Sequence, residues 1–254
     1  MAVDEAILEA IGRGKVPPTL RLYAWDPPCL SLGFAQPVKD VDKARLAQYG
    51  WDLVRRPTGG RAILHTDELT YSVIASAEDP LMAGGVLESY FRISRALLNA
   101  LVRLGLPARA DKEYDLPEDT LKGGAVCFEV PSNYEITVSG KKLVGSAQAR
   151  RKEGVLQHGS LPLYGDLTRI TRALAFAGEP ARQRAADRLL EHAANAEMLG
   201  CRITWEESAA AFEQAFGETL GVALQEQPLT PGELQRAEAL VAEKYGSPLW
   251  NERL

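Results

Sequence analysis

"RRPTGGRAILHTDELTYSVI", residues 55–74, sets two arginines before a Pro-Thr-Gly-Gly turn, a third arginine after it, and then a β-rich run. Gly59 and Gly60 carry no Cβ, so their backbone can lie against a ligand. Taken alone, the glycine pair reads first as a tight turn between strands, because short glycine motifs have little specificity. Working outward, "WDLV" before the turn and "AILH" and "ELTYSVIAS" after it predict strand, glycine turn, strand, short loop, strand. That run is the centre of the fold.

The flanks supply helices and further strands. Residues 3–11 read as a short helix with Ile7, Leu8 and Ile11 on one face. "TLRLYAWDPPCLSLG" predicts two strands broken at Pro27-Pro28, and "DVDKARLAQYG" a capped helix ending at Gly50. "LESYFRISRALLNALVRLG" carries the strongest helical signal. Its stripe is expected through Leu87, Phe91, Leu98, Leu101 and Leu104, with Gly105 as a left-handed C-cap. Residues 107–124 are polar and read as a loop. "AVCFEV" and "NYEITVSGKKLVGSAQARRKEGVLQHGSLPLY" then predict strands with hairpins at Ser139-Gly140 and near Glu153-Gly154. From about residue 166 the chain is helical, with capping boxes at Thr204/Glu207 and Thr230/Glu233 and Pro231 at a first helical position. The expected class is α+β: a mixed, largely antiparallel central sheet flanked by helices, one domain over 1–254.

Composition narrows the function. With 254 residues, 46% hydrophobic, 25% charged and a net charge of −5, the chain is an ordinary globular one. The acidic balance argues against general nucleic-acid binding, and no apolar run approaches the roughly 20 residues that span a membrane. "MAVDEAILEA" is unlike a signal peptide. Cys29, Cys127 and Cys201 lie far apart without metal-ligand spacing, so a cytoplasmic protein with no metal is expected.

Three features carry candidate chemistry. The first is the turn at 55–61. The second is "GKKLVGSAQARRK", residues 140–152, with five basic residues that point to an anionic partner. There Lys142 lies three residues before Gly145, and its point charge would hold a carbonyl or phosphate oxygen. The third is Cys127, which follows an open polar glycine loop, the setting of an accessible thiol; Cys29 and Cys201 read as inert core. His65 and His158 fall beside these motifs as hydrogen-bonded structural histidines, and His192 as a surface one. There is no P-loop and no intact G-x-G-x-x-G.

The ordered set "RRPTGGRAILHTDELTYSVI", "KKLVGSAQARRKEGVLQHGSL" and "KYGSPLWN" resembles the superfamily of lipoate-protein ligases, lipoyl and octanoyl transferases and biotin ligases, over nearly the whole chain. The resemblance implies a catalytic domain related to class II aminoacyl-tRNA synthetases and biotin ligases, with the glycine turn and K-x-x-G strand walling an acyl tunnel. "VCFEVPSNYE" followed by "GSAQARRKEGVLQHGS" looks most like the LipM-type octanoyltransferases, which implies a catalytic Cys127 assisted by Lys142. The implied substrate wall is Arg55, Arg56, Gly59, Gly60, Arg61, His65, Gly145, Ser146, Ala147, His158 and Gly159. Two departures from the ligase pattern favour transfer: Arg61 stands where ATP-using ligases have a third glycine, and little chain follows Trp250 for the accessory domain many ligases carry. Relatives also commonly begin with a strand before the "MAVDEA" helix, which this chain lacks: either the start is late or the sheet has lost an edge, and a late start would expose an unpaired strand.

The implied reaction moves octanoyl from acyl carrier protein to a lysine of a lipoyl-domain protein, such as glycine cleavage H protein, through a cysteine acyl-enzyme and without a cofactor. The basic stretch 141–152 would dock the acidic carrier. Two alternatives remain at the level of sequence: an ATP-dependent lipoate ligase using ATP and Mg, with Cys127 a bystander, and a non-catalytic acyl-binding accessory subunit.

Overall fold

The structure, a computed structural model, describes residues 1–111 and 135–254. Cys127, the strand expected at 125–130 and most of the loop expected at 107–124 lie outside the described residues. The first part of that loop, Arg109–Asp111, is instead a strand.

Among the described residues, six strands form one antiparallel sheet: β1 (Thr19–Tyr23), β5 (Glu68–Ala75), β9 (Gly154–Pro162), β8 (Lys141–Arg151), β7 (Glu135–Val138) and β6 (Arg109–Asp111), in that order. β2 (Cys29–Leu32) lies at the centre of a smaller sheet, parallel to β3 (Asp52–Arg55) and antiparallel to β4 (Ile63–His65). Among the described strands the parallel pairing is confined to this smaller sheet, and an isolated parallel bridge joins Lys142 to Ala193. Both hairpins fall where the sequence puts them. Ser139 and Gly140 have φ of 52° and 76°, the left-handed pair that a two-residue hairpin needs.

The two faces of β5 explain the layers. Leu69, Tyr71, Val73 and Ala75 point into a core built with α3 (Val86–Arg103) and α6 (Trp205–Leu220). The alternate Ile74 meets Ile7, Leu8 and Ile11 of α1 (Ala2–Gly12) on the opposite face, as a period of two requires. α2 (Lys43–Gln48) is capped by Asp42, whose carboxylate accepts the Arg45 N–H at 3.1 Å. It packs with α4 (Ile170–Ala173) and α5 (Glu179–His192) around the smaller sheet. Both expected capping boxes form, at α6 and at α7 (Pro231–Leu240). α7 and Tyr245 close over Ala2 and Ala6 of α1, and α8 (Pro248–Asn251) follows.

The apolar stripe of α3 differs from expectation. Leu101 is buried, but Leu87 and Phe91 are 51% and 42% exposed, and the buried face is Ile93, Ala96, Leu97, Ala100 and Leu101. Small residues at 96 and 100 let α3 and α6 approach closely, so the face in contact is not the face with the largest side chains. No helix among the described residues is long and apolar enough to cross a membrane.

Candidate active site

The three arginines of the opening stretch have three different fates. Arg55, at the end of β3, is fully buried and does not reach a cavity that could hold substrate. Its guanidinium donates to the carbonyls of Gly33 (2.8 Å), Phe34 (3.3 Å), Gln36 (2.5 Å), Asn251 (2.9 Å) and Trp250 (3.3 Å). Five donors in a rigid fork suit such multiple bonding. Arg55 is thus a staple between β3 and α8, which corrects its expected place in the substrate wall.

Arg56 shapes the turn. It donates to Ser31 O and Ser31 Oγ, both at 3.1 Å, to Gly59 O at 2.9 Å and to Arg61 O at 2.6 Å. One cation therefore ties β2 to both ends of the glycine turn. Gly33 is part of the same fit, since a Cβ there would run into the Gly60 carbonyl. Arg61 is half-buried, and its guanidinium has no hydrogen bond or ion pair among the described residues.

Beside the turn opens a cavity of about 490 Å³, within the range usual for small-molecule sites. The turn contributes Arg56, Gly59, Gly60 and Arg61, and β4 contributes His65. β8 contributes Lys142, Gly145, Ser146 and Ala147, and β9 contributes His158 and Gly159. The geometry thus brings together the expected wall residues other than Arg55. Gly159 leaves room that no side chain could share: a Cβ there would stand 2.6 Å from Ser146 Oγ and 2.7 Å from the Tyr71 ring. Lys142 is 5% exposed in the cavity wall, and its backbone carbonyl accepts the Ala194 N–H at 3.0 Å. Val86, Leu87 and Tyr90 of α3 line the same cavity, which accounts for apolar residues left out of the core.

The two histidines differ. His65 uses both nitrogens: Nδ1 lies 2.6 Å from Glu68 Oε1 and Nε2 lies 2.8 Å from Ser31 Oγ, with the ring stacked on Trp25 at 4.2 Å. Burial alone would raise the Glu68 pKa. The His65 ring and hydrogen bonds from His65, Thr70 and Ser160 outweigh it and hold the carboxyl below its ordinary value. This Ser31–His65–Glu68 line has the spacing of a hydrolase triad, but Ser31 is fully buried, also accepts from Arg56 and is outside the cavity lining. It is a scaffold for the cavity wall.

His158 shares a 2.6 Å hydrogen bond with Thr58 Oγ1 through Nε2, while its buried Nδ1 has no partner among the described residues. Burial pushes its pKa down to about 3; nearby Asp4 works the other way and Arg56 adds to the fall. The ring is therefore neutral at physiological pH. His192 is exposed on α5. Burial also pushes the Cys29 thiol up to about 12, consistent with an inert core residue. Among the described residues no group of three or more histidine, cysteine or acidic side chains could hold a metal.

The model of the lipoyl protein ligase A/B catalytic domain matches residues 1–217. The chain belongs to that family. Among curated relatives, octanoyltransferase LipM of Kyrpidia tusciae is 44% identical over 257 residues, covering 100% of this chain and 93% of the relative. Octanoyltransferase LipM of Bacillus subtilis is 39% identical over 260 residues, covering 99% and 92%. Among solved structures, the bipartite lipoate protein ligase of Thermoplasma acidophilum superposes with a TM-score of 0.80 at 28% identity, covering 99% of this chain and 89% of that one. A lipoate-protein ligase A bound with ATP gives a TM-score of 0.79 at 28% identity, with coverage of 99% and 92%. The α+β fold of this lipoyl protein ligase A/B family member is that of these ligases.

Against this family background, the sequence reading misses Ser31, Thr58 and Glu68, which hold His65 and His158 in the wall. A local signal exists for one of them: Glu68 follows His65 by three residues across a tight bend. Ser31 and Thr58 reach their histidines only through tertiary folding. The basic stretch 141–152 is not one patch. Lys141 Nζ donates to Leu190 O at 2.5 Å, Lys142 enters the cavity wall, and Arg151 donates to Pro57 O at 3.2 Å. Arg150 donates to Met82 O, Gly85 O and Ser89 Oγ, tying β8 to the start of α3. Charge counting along the chain does not reveal that Lys141 and Lys142 part at one end of β8 while Arg150 and Arg151 stay together at the other.

Proposed function

We propose that this protein transfers octanoyl from an acyl carrier protein thioester to the ε-amine of a lysine on a lipoyl-domain protein, glycine cleavage H protein being the acceptor of choice, through an acyl-enzyme on Cys127. The observation that carries the reading is the cavity holding Lys142 and the glycine turn, in a chain matched end to end by octanoyltransferases. An octanoyl tail of about seven methylene and methyl groups, at roughly 0.8 kcal/mol each, gains about 5–6 kcal/mol on leaving water for such a cavity. That gain anchors the tail whatever the head group.

In the proposed chemistry the Cys127 thiolate attacks the thioester carbonyl, the carbon–sulfur bond to the donor arm breaks, and the departing thiolate takes a proton. The neutral acceptor amine then attacks the acyl-enzyme, Cys127 leaves as thiolate, the attacking nitrogen gives up one proton to solvent, and an amide forms. Lys142 supplies positive charge for the oxyanion in both steps. Exchange between thioesters is nearly balanced and amide formation is downhill, so neither step calls for ATP.

Intact mass spectrometry after mixing with octanoyl-carrier protein tests this. The expected result is one added octanoyl group, absent in Cys127→Ala, with acylation slowed about 100-fold or more in Lys142→Ala. Acylation of Cys127→Ala would remove the mechanism. The ligase-bound ATP of a structural neighbour favours a second reading, lipoate activation by ATP. Turnover with lipoate and ATP, and none with octanoyl-carrier protein, would establish that reading instead.

A further inference from the structure

The glycine turn has a hollow on each side. The outer one, a groove of about 540 Å³, shares Gly59, Gly60, Arg61 and Gln148 with the inner cavity and is completed by residues 34–36, Pro57 and 149–151. Its described lining contains three guanidinium groups, Arg61, Arg150 and Arg151, and no carboxylate. That is a local reversal of sign in a chain of net charge −5.

Among the described residues none of the three forms an ion pair with a carboxylate. Arg61 has no partner among the described residues. Among the described residues Arg150 bonds neutral acceptors: Gln148 Oε1 at 3.2 Å, Met82 O and Ser89 Oγ at 2.9 Å, and Gly85 O at 2.8 Å. Among the described residues Arg151 donates to Pro57 O alone, and it lies 5.4 Å from the Phe34 ring centre. The carboxylates Glu5, Glu9 and Glu153 line an adjoining hollow, which shares Phe34, Pro57, Ala149 and Arg151 with the groove. There Lys244 takes Glu5 and Arg236 takes Glu9.

Cations of one sign lining a concavity concentrate anions in it, and the planar guanidinium fork matches phosphate oxygens. The route between the two hollows crosses Gly59, where a Cβ would find only open space, and Gly60, at φ 90°. A side chain at 59 would stand in that passage. A thin arm can therefore lie over the turn with its two ends in different hollows.

We infer that the outer groove is an organic-phosphate site that holds the phosphate of the donor's pantetheine arm while the acyl chain fills the inner cavity. This rests on the acyl-transfer reading above. It answers what the arginines around a glycine turn do: Arg56 builds the turn, and Arg61, with Arg150 and Arg151, reads the donor across it.

The test compares octanoyl-pantetheine with octanoyl-4′-phosphopantetheine as donors in acyl-enzyme formation. The phosphorylated donor is expected to have a kcat/KM higher by about tenfold or more. In Arg61→Gln and in Arg151→Gln that ratio falls toward one. A wild-type ratio of one, or a ratio unchanged in both variants, overturns the assignment. Calorimetric titration of 4′-phosphopantetheine against pantetheine makes the same comparison without chemistry. An enzyme that fails to acylate but binds the phosphate in an Arg61- and Arg151-dependent way contradicts the acyl-transfer reading and upholds the groove. ATP in the same titration separates the sources: Arg151-dependent binding of ATP, with none of 4′-phosphopantetheine, overturns the pantetheine assignment in favour of a nucleotide phosphate.

Discussion

His158 shows how a single buried ring couples the cavity to the stability of the whole chain. In the unfolded chain a histidine titrates near pH 6.5, whereas burial here takes His158 to about 3. Between those values the unfolded state binds more protons than the folded one, so stability rises with pH and is lost as pH falls through the unfolded value. From pH 6.5 to 5, above the range where Asp4 and Glu68 titrate, this one group should remove about 1.5 kcal/mol. Urea unfolding across that window checks it: His158→Asn should flatten the slope by close to one proton, and an unchanged slope would show that the ring is not held neutral. The sequence places His158 beside the site but not its state, because its hydrogen bond to Thr58 spans 100 residues. Arg55 and Arg61 are equally opaque: members of one motif, they part company because β3 aims one of them at α8, a destination no local pattern encodes.

At the scale of elements, the hairpins and capping boxes were legible because their signals are local: a left-handed pair at Ser139-Gly140, a hydroxyl three residues before a glutamate at Thr204 and Thr230. The facing of α3 was not. A stripe of large apolar residues fits helical spacing, yet Leu97 is fully buried and Leu87 is 51% exposed on the same helix. The choice was made by α6, whose Phe212 and Phe216 need the shallow surface at Ala96 and Ala100. The two leucines should therefore respond differently. Leu97→Ala should cost about 2–5 kcal/mol of stability, as emptied core positions do. Leu87→Ala should leave stability within about 0.5 kcal/mol and raise KM for the octanoyl donor, since its side chain lines the cavity. Denaturation midpoints beside acylation kinetics decide; a stability loss at Leu87 equal to that at Leu97 would take α3's first turn out of the acyl wall.

For the whole molecule, the question is whether the last helices, beyond the 1–217 stretch that the family model matches, belong to the same cooperative unit. α8 completes Arg55: Trp250 O and Asn251 O accept from its guanidinium, Asn251 Oδ1 accepts its backbone N–H at 2.8 Å, and Trp250 Nε1 donates to its carbonyl at 2.8 Å. α7 covers Ala2 and Ala6 of α1, and Arg236 grips Glu9 through two bonds of 2.8 and 3.0 Å. Without these partners a buried guanidinium at the root of the glycine turn keeps its charge and loses the Trp250 and Asn251 carbonyls from its five acceptors, a defect of about 3–5 kcal/mol before lost apolar burial is added. We therefore expect one cooperative unfolding transition in the full chain, with tryptophan fluorescence and circular dichroism coinciding. Removing residues 231–254 should abolish that transition or shift it by more than 5 kcal/mol, because the loss of buried area around α1 and Tyr245 comes on top of the stranded arginine. A truncated chain that unfolds at the same midpoint and still takes up octanoyl would make the C-terminal helices an appendage, and would leave Arg55 satisfied by the Gly33, Phe34 and Gln36 carbonyls.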